Sequence, residues 1–136
     1  MKAAILTRRA FLRMTCAIVA IGSTPLPDLF ADNNGYRNPL ASKLVGFFQD
    51  KESAGAVGRE YLRIAPLEAD TLKLTELICA GRPARHAELN FASMGKVRSI
   101  LLHQQREDFD KGRTVNVQGW ILSETEARLC ALTALT

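Results

Sequence analysis

Apolar residues recur at helical spacing through most of the chain beyond residue 37, and polar residues fill the intervening positions. Leu40, Leu44, Phe47 and Phe48 fall at i, i+4, i+7 and i+8, behind Asn38, a good N-cap, and Pro39, suited to a first helical position. This predicts a helix over 38–49. Asp50 caps a second helix, in which Ala54, Val57, Tyr61 and Ile64 form one stripe. Gly55 and Gly58 lower its propensity but admit a close neighbour, and Pro66 ends it. A third helix over 68–80 turns Leu74, Leu77 and Ile78 inward and meets Gly81 at its C-terminal side. Arg82-Pro83-Ala84-Arg85 connects it to a longer helix over 87–110, which carries Met94, Val97 and Leu101 and stops at Lys111-Gly112.

The period then changes. Thr114-Val115-Asn116-Val117-Gln118 alternates polar and apolar side chains, the signature of a strand, and no other segment offers itself as its partner. It is expected either to lie extended across the helices or to pair with another chain. Ser123-Glu124-Thr125-Glu126 reads as a capping box, so a last helix should begin there and run almost to the C-terminus. The fold class expected is mainly α: a small bundle of four or five helices with one short extended segment before the last, in a single domain over 38–136.

The first 31 residues have another character. Thr7-Arg8-Arg9-Ala10-Phe11-Leu12-Arg13 leads into a mildly apolar run from 14 to 22, the form of a twin-arginine export signal carried by Arg8, Arg9, Phe11 and Leu12. Two guanidinium groups offer planar forks of donors to a receptor's carboxylates, which lysines do not. The run contains Gly22 and is broken by Pro25 and Pro27, far short of the roughly 20 apolar residues that span a bilayer, so no permanent membrane anchor is expected. Cleavage is expected after Ala31, with Gly22 the competing position, and 32–37 reads as a flexible linker rich in turn residues. The protein is thus expected in the periplasm, with the twin-arginine translocase as its first partner.

Removing the leader changes the charge argument. The whole chain carries 18 basic and 14 acidic side chains; beyond residue 31 the balance is 14 against 13, too even to draw the protein to nucleic acid. Cys79 and Cys130 both fall in apolar helical contexts, which suits buried free thiols, while an oxidising compartment would also permit a disulfide. Neither has a ligand-spaced companion, and His86 and His103 are far apart, so no metal site is expected.

No phosphate-cradling glycine loop, nucleophile elbow, Cys-x-x-Cys or His-Glu-x-x-His occurs, and no cofactor is expected. His103 and Glu107, one helical turn apart, could act with Asp108 as an acid–base set, although a solvated i, i+4 hydrogen bond is the more frequent origin of this spacing. His86 reads as a surface residue of a connector. Asp108 and Asp110 sit where a helix C-terminus disfavours negative charge, so a cation must compensate, with Lys111 and Arg113 nearest in sequence. Phe109, Arg113, Trp120 and Arg128, aromatic and arginine types enriched in interface hot spots, form the candidate partner patch.

The stretch from Asp108-Phe109 through Gly112-Arg113, Val115-Asn116-Val117, Gly119-Trp120 and Leu122-Ser123 to Thr125-Glu126-Ala127-Arg128-Leu129 resembles a group of small exported bacterial proteins of uncharacterised function. The resemblance covers the leader and the C-terminal third, and more loosely the middle from Gly58-Arg59-Glu60-Tyr61-Leu62 to Pro66. It implies export and a shared architecture without naming a reaction. In size, leader and helical character the chain is also similar to the small helical subunits that accompany exported flavin dehydrogenases, which implies a larger exported oxidoreductase as partner. The function expected is that of an exported accessory or interaction protein. A small enzyme using the acid–base set, or a small-ligand-binding module, is the alternative.

Overall fold

Asn38 accepts hydrogen bonds from the backbone N–H groups of Leu40 and Ala41 through its side chain, and Pro39 opens the helix behind it, as its fixed φ favours. The computed structural model describes residues 38–136. The export motif Arg8, Arg9, Phe11 and Leu12, both cleavage positions and the linker at 32–37 lie outside the described residues. The elements run α1 (Pro39–Val45), α2 (Lys51–Ile64), a 3-10 turn (Pro66–Glu68), α3 (Thr71–Ile78), α4 (Pro83–Phe91), α5 (Met94–Asp110), β1 (Thr114–Val117), β2 (Trp120–Ser123) and α6 (Glu124–Leu135). The fold is mainly helical, with six helices and a short two-stranded sheet among the described residues.

The helix at the centre is the last one. α6 packs against α1, α2, α3 and α5 and touches both strands. Thr125, Ala127, Leu129, Cys130, Ala131 and Leu132 are all buried, so the helix is enclosed on most sides, and its charged residues Glu124, Glu126 and Arg128 are confined to its first turns. Its closest neighbour is α2. A Cβ added at Gly58 would lie 2.0 Å from the Cys130 carbonyl oxygen and 2.7 Å from the Ala131 nitrogen, so only glycine permits this backbone approach. The close neighbour expected from Gly55 and Gly58 is therefore α6. Leu40, Leu44, Leu74, Ile78, Leu89, Val97 and Leu101 complete one continuous core, where each fully buried aliphatic side chain contributes about 1.5–3 kcal/mol.

Several details of the sequence reading change. α1 ends at Val45, with Gly46 as its C-cap. Phe47 and Phe48 pack from the following turn, their rings edge to face at 5.3 Å. In α2 the inward face contains Ala54, Gly55, Gly58, Tyr61 and Leu62, whereas Ile64 is exposed, because the close approach to α6 selects the glycine face over the bulkier stripe. The expected third helix begins three residues later than 68, since Pro66–Glu68 forms the 3-10 turn and Asp70 caps α3 through the Lys73 N–H.

The expected long helix is two, which raises the count above five. Ala92 and Ser93 are both extended, and the Ser93 hydroxyl accepts from the Lys96 N–H to start α5 afresh. The Lys43 ammonium donates to the carbonyls of Asn90 and Ala92 and so stabilises the break.

The lone extended segment, finally, has a partner within the chain. β1 pairs antiparallel with β2 in the register Thr114 to Ser123, Val115 to Leu122, Asn116 to Ile121 and Val117 to Trp120. Gln118 and Gly119 join them with φ of +50° and +88°, the paired positive values of a two-residue hairpin turn.

Candidate partner site at the hairpin

The hairpin enters and leaves between helix ends that would otherwise be electrostatically mismatched. Asp108 lies in the last turn of α5, where the macrodipole disfavours a carboxylate. It is only 3% exposed. Its Oδ1 accepts from Arg113 Nε at 2.9 Å and Nη2 at 2.8 Å. Its Oδ2 accepts from the Thr125 backbone N–H at 3.0 Å and the Thr125 hydroxyl at 2.6 Å. Thr125 belongs to the first turn of α6, where free N–H groups and the positive end of the dipole favour an anion. Gln104 extends the network, donating to Thr125 Oγ1 at 3.1 Å and to the Ile78 carbonyl at 2.8 Å. The cation that Asp108 requires is thus Arg113. Lys111 pairs instead with Glu107.

A second polar cluster braces α6 against the 3-10 turn. Arg128 donates through Nε and Nη2 to the two oxygens of Glu68, each at 3.1 Å, and through Nη1 to Glu124 at 3.0 Å. The Tyr61 hydroxyl donates to Glu68 at 2.7 Å. Burial alone would raise the Glu68 carboxyl, but the hydrogen bonds from Arg128 and Tyr61, with the Arg128 charge, outweigh it and hold the group below its usual range. Burial, then the bond to Glu68 and its charge, raises the Tyr61 phenol.

Between these braces the hairpin presents its side chains by strand alternation. Val115, Val117, Leu122 and Trp120 share the inward face. Val117 and Leu122 are buried, and Trp120, at the tip, remains 47% exposed. Ile121 and Asn116 share the outward face, with Ile121 55% exposed. The tip is fixed: Gln118 Nε2 donates to Glu60 on α2 at 2.7 Å, and Asn116 Oδ1 accepts from the Gly119 N–H at 2.7 Å. Trp120 and Ile121 therefore emerge from opposite faces of one strand on a held scaffold.

The four residues of the candidate patch divide. Arg113 and the half-buried Phe109 sit near the base of the hairpin, and Trp120 sits at its tip, three strand steps or about 10 Å away. Arg113 and Arg128 are engaged in the ion pairs just described, so they shape the support rather than the exposed surface. Ile121, which sequence reading did not single out, follows Trp120 on the opposite face of the strand. Only the hairpin register places it outward, and the signal for that register is the Gln118-Gly119 turn between two apolar runs.

The acid–base set is not assembled. His103 is exposed and Asp108 buried, about 140° apart around α5 by helical geometry. The hydrogen bond from Lys111, and then its charge, holds the Glu107 carboxyl below its ordinary value, with Arg113 and His103 adding smaller effects in the same direction. His86 is exposed on α4 and borders an opening of about 320 Å³ that it shares with Asn38, Thr75, Glu76, Cys79 and Arg82. Cys79 and Cys130 are both free and buried. Burial pushes the Cys79 thiol up to about 11 against a smaller opposing pull from Arg85, and raises the Cys130 thiol as well, with Glu126 adding to it. Among the described residues, no group of three or more His, Cys, Asp or Glu side chains could hold a metal ion, and no helix is long and apolar enough to cross a membrane.

No protein-family model, curated protein or solved structure matches the chain.

Proposed function

We propose that this chain is an exported periplasmic accessory protein that docks on a larger partner through the hairpin tip, with Trp120 and Ile121 as the apolar anchors. The observation that carries the reading is the exposure of these two residues on a hairpin tied to α2 through Gln118 and to α5 and α6 through Asp108. Large apolar side chains already held in one geometry lose little conformational entropy on binding, which is how hot spots gain their affinity. The Arg8-Arg9 leader supports export, and the likeness to small subunits of exported flavin dehydrogenases supports an oxidoreductase as the partner.

The test is recovery of the tagged chain from the periplasm with identification of what accompanies it. A large exported oxidoreductase in stoichiometric amount sustains the proposal. Recovery of the chain alone, under conditions that keep known periplasmic complexes intact, overturns it.

A further inference from the structure

A second surface, unconnected with the hairpin, lies where α4 meets α5. Leu89 is the one buried side chain of α4, and it fixes which side of the helix faces the protein. On the far side Ala84, Ala87 and Phe91 follow one another at i, i+3 and i+7, all exposed, so this helix turns an apolar stripe outward. Phe91 is 86% exposed, and Met94, just beyond the break, is 43% exposed. Fraying does not explain this. Lys43 closes the carbonyls of Asn90 and Ala92, on either side of Phe91, and Ser93 caps the helix that follows. The ring is held outward by a corner whose backbone is satisfied.

Charge identifies what would cover it. Residues 82–106 hold Arg82, Arg85, Lys96, Arg98 and Arg106 against Glu88 alone, a surplus of +4. The other described residues carry eight cations against eleven carboxylates, a deficit of −3. The even total noted from the sequence therefore conceals a strong local asymmetry. Arg85 pairs with Glu88, and Arg98 stacks over Phe47 and donates to its carbonyl. No ion pair is formed by Arg82, Lys96 or Arg106 among the described residues.

An exposed apolar apex with the unpaired Lys96 in the first turn of the next helix suits a soft anionic interface, into which an aromatic ring sinks while the ammonium meets headgroups. A protein partner would need a cavity of matching shape. We propose that the α4–α5 corner, with Phe91 at its apex and Lys96 beside it, is a reversible docking surface for an anionic lipid bilayer. It stands independently of the hairpin reading.

The full chain is tested as Phe91→Trp in a Trp120→Phe background, which makes position 91 the only tryptophan. Vesicles of phosphatidylglycerol with phosphatidylcholine should shift its emission to shorter wavelength, and brominated acyl chains should quench it. Salt should reverse both effects, and pure phosphatidylcholine should produce neither. Adding Lys96→Ala should weaken the response about fivefold, the usual effect of one cation near an anionic surface. Because the readout is local to position 91, lipid binding elsewhere in the chain does not imitate it. An unchanged spectrum at saturating vesicle, an equal response on neutral vesicles, or a shift that needs only a higher protein concentration, as when a second copy covers the corner, overturns the proposal.

Discussion

Asp108 accepts both the backbone N–H and the hydroxyl of Thr125, seventeen residues later, and so caps α6 from the far end of α5. A carboxylate unfavourable for its own helix is favourable for the next, and Arg113 neutralises what remains. Asp108→Ala is expected to destabilise the protein by about 3 kcal/mol, because Arg113 and the Thr125 N–H lose a buried partner together. Denaturant unfolding measures this. A loss no larger than that of an exposed substitution would contradict the capping role.

Two glycines should respond in opposite directions to the same change. Gly58→Ala places a methyl group 2.0 Å from a backbone carbonyl that cannot step aside. The clash exceeds the helix-propensity gain of about 1 kcal/mol, for a net loss of about 2 kcal/mol. Gly95→Ala, in the first turn of α5 with nothing within 4 Å of the new atom, should instead stabilise by about 0.5–1 kcal/mol. Thermal melts of the two variants check the signs.

Much of this was legible in the sequence. Asn38, Asp50 and Ser123 announce three helix starts because each cap is a local event, a side-chain oxygen within three residues of the N–H it accepts. The close contact at Gly58 was legible as a possibility, though not its partner, which is 72 residues away. The α4–α5 break was missed because apolar periodicity runs through it, and its stabiliser, Lys43, comes from a distant helix. The hairpin was half read, since Trp120-Ile121-Leu122 is a continuous apolar run that hides the alternation. Arg113 and Arg128 were placed in a partner patch by residue type. The pair of Arg113 with Asp108, five residues earlier, was legible as charge compensation, whereas that of Arg128 with Glu68, 60 residues away, exists only in the tertiary structure.

Ser123→Ala removes the oxygen that accepts from the Glu126 N–H at 3.0 Å and should cost about 1 kcal/mol. An unchanged melting temperature would mean that Asp108 alone suffices to start α6.

Glu68 sets an acid limit on stability. Its carboxyl is held below the ordinary 4.5 in the folded state, so its contribution is complete above the unfolded value and is lost as pH falls through the folded one. Glu68→Gln should flatten that acid arm in a plot of melting temperature against pH. Tyr61→Phe, which removes one donor to the carboxylate, should shift the arm toward higher pH. Parallel curves for wild type and Glu68→Gln would show that the carboxylate does not contribute through this linkage.

The proposed export requires guanidinium geometry and not charge alone. The double variant Arg8→Lys, Arg9→Lys keeps both charges and should leave the precursor in the cytoplasm, which fractionation and immunoblotting would show. Normal periplasmic accumulation of that variant would remove the twin-arginine assignment.

The central claim, that the hairpin tip is a docking surface, meets its most direct test in Trp120→Ala, read in parallel by thermal melting and by capture of the partner from the periplasm. A Trp that belonged to the core would cost about 3–5 kcal/mol on truncation and take the fold with it. With 47% of Trp120 exposed on a hairpin held by other residues, the account predicts a small fall in stability together with a loss of partner of tenfold or more, roughly the 1.4 kcal/mol or above expected of a hot-spot anchor. A variant that melts like the wild type and still brings down its partner in full would contradict the claim.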